Sequence, residues 1–179
     1  MVKKTKKVVK KLYKITKSGC NAKIFVILFS HDRKRRVFML FGEYEHQVDA
    51  KNRIRVPSRL KADFKSGYVF LKGASKCISV YPTDKIDALV KELGDVSAFD
   101  KDGQESLSEV LSSFYTCEED GQGRIVIPEK LREYAGIGKD VVSIGMINHI
   151  DIYSEAERER IKNDKSYDER IKILQSRIK

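Results

Sequence analysis

The chain has 179 residues, with 36 Lys and Arg against 26 Asp and Glu, a formal net charge of +10. It has room for one ordinary domain or two small ones, and the charge points toward an anionic partner. That charge is uneven: residues 1–38 hold ten Lys and three Arg against one Asp, a net of +12, so residues 39–179 sum to −2. A nucleic-acid function must therefore rest on local charge, not on a high isoelectric point.

Cys20, Cys77 and Cys117 form no CxxC pair, so neither a disulfide framework nor a zinc ribbon is indicated, and a reducing cytoplasm fits best. The apolar run 24–29 is too short to span a bilayer. It is followed by His31-Asp-Arg-Lys-Arg-Arg36 instead of a small-residue cleavage site, so it is not expected to be a signal peptide.

Residues 1–38 leave three readings open. They are a disordered basic arm that adds DNA affinity, a short element packing 24–29 on the body, or upstream sequence that is not translated, with the start at Met39. The chain then predicts a strand over Tyr44–Val48, a turn over Asp49–Asn52 and a strand over Arg53–Val56. Alternation puts Arg53 and Arg55 on one face and Ile54 and Val56 on the other. Pro57 fits the first turn of a short helix over Ser58–Phe64. Gly67–Leu71 and Cys77–Tyr81 read as a hairpin. Thr83 is placed as the cap of a helix carrying Ile86, Leu89, Val90 and Leu93, which Gly94 closes. A second helical stripe, Leu107, Val110, Leu111 and Phe114, follows. After Ser154 and Glu157, spaced as a capping box, the tail reads as a charged, exposed or subunit-contacting helix.

The chain repeats itself. Asp49-Ala-Lys-Asn-Arg-Ile-Arg-Val-Pro57-Ser-Arg-Leu60 returns as Asp120-Gly-Gln-Gly-Arg-Ile-Val-Ile-Pro128-Glu-Lys-Leu131, displaced by 71 residues. Tyr44 matches Tyr115, and Ile78–Tyr81 matches Ile150–Tyr153 at a displacement of 72, which calls for one inserted residue near Gly136 to Gly138. This is a tandem duplication. Copies of roughly 45 residues bury too little surface to stand alone and must pack on each other or on other chains.

In each copy the Asp can accept backbone hydrogen bonds, while Asn52 or Gly123 tolerates positive φ. The next residue, Arg53 or Arg124, would sit at the mouth of the turn with its guanidinium outward, suited to phosphate or to guanine O6 and N7. Lys51, Arg55, Arg59 and Lys61 surround Arg53, and Asp49–Lys61 carries a net +4. The blander alternative is that Asp49 and Arg53 merely pair across the turn, a surface contact of under about 1 kcal/mol. Recurrence of the same spacing argues for function. In repeat two, Glu118, Glu119, Asp120 and Glu129 oppose Arg124, Lys130 and Arg132, a net of −1, and Val126 replaces Arg55. This charge count expects repeat one to touch nucleic acid more, and repeat two to serve assembly.

With Gly42-Glu-Tyr-Glu-His46 and Leu131-Arg-Glu-Tyr-Ala-Gly136, the two Asp-x-x-x-Arg phrases closely resemble the MraZ family, bacterial regulators built from two SpoVT-AbrB-like repeats. The resemblance covers about residues 39–160, and members of the family usually begin at the position of Met39. It implies an α+β, mainly β fold of two tandem swapped-hairpin (double-split) β-barrel repeats with short helices. The expected organisation is an extension over 1–38, an AbrB-like domain over 43–86, a helical linker over 87–113, a second domain over 114–157 and a charged helix over 158–179. It also implies a homo-oligomeric ring that binds repeats in double-stranded promoter DNA of the division and cell-wall gene cluster, in the cytoplasm and on the nucleoid. The residues expected to contact DNA are Lys51, Arg53, Arg55, Arg59, Arg124, Lys130 and Arg132, with Asp49, Asn52, Asp120 and Gly123 shaping the turns. Asn52 departs from the family's usual Gly. A ring would reconcile the −2 body with DNA, because phosphate contacts made by several subunits add.

No cofactor, metal, membrane or small-molecule substrate is expected. An enzyme is the first rival, but His31, His46 and His149 are scattered and no HExxH, GxSxG or P-loop motif occurs. The remaining thought, a Cys117–His46 pair at equivalent positions, is equally read as two ordinary strand residues. A toxin-binding antitoxin would pair one such domain with an acidic tail, whereas this tail holds many Lys and Arg. The alternative function is a non-specific nucleoid or RNA-binding protein. Against it, Tyr44 and Tyr81 occupy apolar-strand positions and look like core, not stacking platforms.

Overall fold

The computed structural model describes residues 40–61, 64 and 67–178, so the segment 1–38 and its three readings lie outside the described residues. Repeat one supplies β1 (Glu43–Gln47), β2 (Arg53–Ile54), β3 (Tyr68–Lys72) and β4 (Ile78–Pro82), followed by α1 (Ile86–Leu93) and α2 (Lys101–Ser112). Repeat two supplies β5 (Tyr115–Cys117), β6 (Ile125–Val126), α3 (Glu129–Ala135), β7 (Asp140–Gly145) and β8 (Ile150–Ser154). The helices α4 (Glu155–Asp164) and α5 (Tyr167–Arg177) follow. The fold is thus α+β, with strands at its centre.

Six strands form one sheet in the order β1-β7-β8-β4-β3-β5, while β2 and β6 pair separately as a two-stranded ribbon. Every pairing is antiparallel. The two repeats exchange strands. The first strand of repeat one, β1, lies on β7 of repeat two, and the first strand of repeat two, β5, lies on β3 of repeat one. The hairpins β3–β4 and β7–β8 meet at the centre through β4 and β8. In the ribbon Arg53 faces Val126 and Ile54 faces Ile125, so a pseudo-twofold axis passes between the two isoleucines.

Register corrects the single-insertion reading. Lys72 pairs with Ile78 across one hairpin loop and Gly145 with Ile150 across the other, so the second loop is one residue shorter. Two residues are therefore gained before β7 and one is returned in the loop. With that shift, His46 opposite Val141 and Cys117 opposite Tyr68 are equivalent pairs.

The inward side of the ribbon and one face of the sheet share a core. Ile54, Val56, Ile125 and Ile127 from the ribbon segment pack with Phe70, Ile78, Val80, Val141, Ile150 and Ile152 from the sheet, all buried. Alternation of side chains on short strands sets which residues enter this core. Leu60 and Leu131 close it from the segments after Pro57 and Pro128.

Those two segments differ in form. Repeat two makes the α-helix α3, ended by Gly136 at φ 59°, a left-handed cap suited to glycine. In repeat one, where a helix over Ser58–Phe64 is expected, the described residues make tight turns, with Leu60, Lys61 and Phe64 each bonding the carbonyl three residues back. Thr83 does not cap α1. Thr83–Lys85 is a 3-10 turn whose Thr83 amide is drawn to the Gly67 carbonyl at 3.2 Å, and α1 begins after Lys85 without a side-chain cap. Gly94 does end α1, its amide on the Val90 carbonyl at 2.9 Å. The single tail helix is two helices, because Ser166 and Glu169 form a full capping box that starts α5 afresh. Among the described residues, 40–160 fall in one unit and 161–178 in another. No helix among the described residues is long and apolar enough to cross a membrane.

Candidate nucleic-acid interface

The two repeated turns have the same internal wiring. In the first, Asp49 Oδ1 accepts the amides of Lys51 and Arg53, both at 2.9 Å, while the Asn52 amide donates to the Asp49 carbonyl at 2.9 Å. In the second, Asp120 Oδ1 accepts the amides of Gln122 and Arg124, and Gly123 takes the place of Asn52. Asn52 and Gly123 stand at φ 58° and 71°. The turn therefore demands Asn or Gly at this point, and Asn52 meets that demand.

The arginines that leave these turns lie on the ribbon's outward side, but their guanidiniums are held by carboxylates and are not free, which corrects the expected geometry. Arg53 donates Nε to Asp49 Oδ2 at 2.8 Å and sets Nη1 3.2 Å from Asp120 Oδ2. Arg124 donates Nε to Asp120 Oδ2 at 2.8 Å, with Nη1 4.0 Å from Asp49 Oδ2. The ribbon pairs the two repeats so closely that each carboxylate lies between two guanidiniums. The quartet is formally neutral, its charge-assisted hydrogen bonds satisfy the guanidiniums, and the Arg53 side chain is only 19% exposed. The Arg53 side chain holds the Asp49 carboxyl at about pKa 2, and Arg124 pushes Asp120 well below the usual carboxylate range. The Asp49 hydrogen bond raises Arg53 further still.

Other cations are exchanged across the pseudo-twofold axis. Arg55 of repeat one reaches the second turn, Nη2 to the Gln122 carbonyl at 2.8 Å. Lys61 also serves the second turn, with Nζ 2.6 Å from Glu119 and 3.3 Å from where a Cβ on Gly123 would stand. Arg132 of repeat two reaches the first turn instead, Nη1 to Asn52 Oδ1 at 3.0 Å. Lys61 and Arg132 are equivalent positions, but Glu119 neutralises only the former.

The structure thus brings Asp49, Lys51, Asn52, Arg53, Arg55, Asp120, Gly123, Arg124 and Arg132 to one double turn. Arg59 and Lys130, equivalent to each other, are exposed two residues after Pro57 and Pro128 and carry no hydrogen bond to the turns. The charge count treats each repeat's cations as its own, whereas Arg55 and Lys61 bond to the second turn and Arg132 to the first. Gln122, Glu119 and Val126 also belong to the site. Matching Lys61 with Arg132 in the repeat was the available signal for the crossing.

His46 and Cys117 do not meet. They lie on β1 and β5, the opposite edges of the sheet, with His46 Nε2 2.7 Å from Ser143 Oγ. Burial lowers the His46 pKa and pushes the Cys117 thiol up to about 11. Tyr44 packs against the core, and Tyr81 stacks on His149. No group of three or more metal-ligating side chains occurs among the described residues.

The family model described as "MraZ protein, putative antitoxin-like" matches this chain twice, over residues 39–107 and 110–177. Proteins named "Transcriptional regulator MraZ" are similar to it. The one from Clostridium beijerinckii is 39% identical over 117 residues, covering 65% of this chain and 82% of its own length. That from Clostridium tetani is 35% identical over 130 residues, covering 73% and 91%. That from Caldicellulosiruptor bescii is 38% identical over 117 residues, covering 65% and 82%. With both repeats matched in order and the relatives spanned over most of their length, this chain belongs to the MraZ family.

Proposed function

We propose that the chain is a DNA-binding transcription regulator, not an enzyme, that reads promoter DNA with the ribbon and its two Asp-x-x-x-Arg turns. The observation that carries this reading is the double turn itself. One outward surface gathers Arg53, Arg55 and Arg124, with Lys51 exposed beside them and Arg132 bonded behind Asn52. The aspartates fix the guanidinium forks, so Arg53 and Arg124 meet phosphate or base edges already oriented. Lys51, Arg59 and Lys130 add exposed charge for the phosphate backbone.

The finer reading follows the family. The exchange of β1 and β5 supports the swapped-hairpin barrel for the segments 43–86 and 114–157, with 87–113 as linker and 158–179 as a charged tail. Binding to the division and cell-wall gene cluster, assembly into a ring, and a cytoplasmic, nucleoid-associated location complete the proposal. A ring aligns several double turns, each weak alone.

The test is binding of the full chain, and of its Arg53→Ala and Arg124→Ala variants, to its own upstream duplex and to shuffled duplex across a salt series. Preference for the upstream duplex, lost in either variant with the fold intact, supports the reading. Equal binding to both duplexes by every protein overturns it in favour of a non-specific nucleic-acid binder.

A further inference from the structure

The outward side of the ribbon is not chemically symmetric, although its backbone is. Arg53 lies opposite Val126, and continuing the same register sets Arg55 opposite Arg124. Ile54, Val56, Ile125 and Ile127 face the core, so these four side chains make up the outward face. Three are arginines and the fourth is a valine that is 57% exposed. Arg55 and Val126 are equivalent positions. One end of the face thus presents two guanidiniums, and the other presents one guanidinium beside a bare branched methyl pair.

Resting on the DNA-reading function above, we propose that Arg55 and Val126 are the specificity-determining pair of the ribbon: Arg55 takes the acceptor edge of a guanine, and Val126 takes the 5-methyl group of a thymine. A two-stranded ribbon fits the major groove, where guanine offers N7 and O6 and only thymine offers a methyl group. The Gln122 carbonyl anchors Arg55 through one amino group, and the planar fork keeps further donors for a base edge. A valine has no donor for phosphate, so in this ring of cations its contribution is shape and apolar contact. Each chain then reads an oriented site, with the thymine on the Arg53 side and the guanine on the Arg124 side.

The experiment selects preferred sites from a random duplex pool with the full chain, wild type and with Arg55→Ala, Val126→Ala or Val126→Ile. On the selected site each thymine is then replaced by deoxyuridine, which removes only the methyl. Wild type enriches an asymmetric motif and loses about fourfold in affinity at one thymine, the worth of one buried methyl. Val126→Ile keeps that sensitivity and Val126→Ala loses it. Arg55→Ala relaxes one guanine position by about 5- to 150-fold while the other positions persist. Unchanged deoxyuridine sensitivity in Val126→Ala, or uniform weakening on all sequences in Arg55→Ala, overturns the pair while leaving DNA reading in place. Absence of any enriched motif with wild type overturns DNA reading itself, and the pair with it.

Discussion

Asn52 and Gly123 occupy one conformational slot in two ways, and the difference is chemical. Asn52 adopts φ 58° and lends Oδ1 to Arg132, whereas Gly123 leaves space that Lys61 fills. Asn52→Gly should keep the turn and shift stability by within about 0.5 kcal/mol, while Asn52→Val, branched at a positive φ, should cost about 1–2 kcal/mol in urea unfolding. Asp49 and Asp120 both carry pH dependence, and Asp49 shows its sign. Its folded pKa of about 2 is below its ordinary value near 4, so its contribution is complete above the ordinary value and is lost as pH falls through 2. A carboxyl titration followed by NMR should find the Asp49 carboxylate ionised from pH 8 down to about 4, and Arg53→Ala should move its midpoint up. Positive φ and backbone acceptance at these turns were legible from Asp, Asn and Gly alone. The closed quartet was not, because it depends on which turn lies opposite, and that is a matter of strand pairing.

The ribbon is the element through which the core and the interface meet. Ile54 and Ile125 flank the pseudo-twofold axis with 1% and 0% exposure, directly beneath the arginines. Ile125→Ala should cost about 2–5 kcal/mol in chemical denaturation, since neighbours from both repeats cannot close the space together. Alternation along Arg53–Val56 disclosed this inward and outward division. Local signals did worse where backbone partners decided the outcome. Thr83 has a capping residue's chemistry, yet the Gly67 carbonyl takes its amide and leaves its hydroxyl buried without a partner. The tail's thin apolar stripe continues past Lys165 and suggests one helix, but the Ser166–Glu169 box restarts the helix.

At the scale of the whole molecule, sequence-local charge assigned cations to the wrong turn. Arg55 and Lys61 act on turn two and Arg132 on turn one, because the repeats cross over each other. The family resemblance implied a swapped-hairpin barrel from each repeat, and neither it nor composition said that β1 and β5 cross to the other repeat. The strand exchange also governs how the molecule would come apart. The chain passes from one repeat to the other through α1 and α2, and Phe99 between them is 99% exposed. Chymotrypsin cleavage after Phe99 should yield a nicked protein whose two pieces co-elute and melt in a single transition, parting only in denaturant. The halves should accordingly behave as a split protein, each a template for the other, so that co-expression reconstitutes what neither piece forms alone.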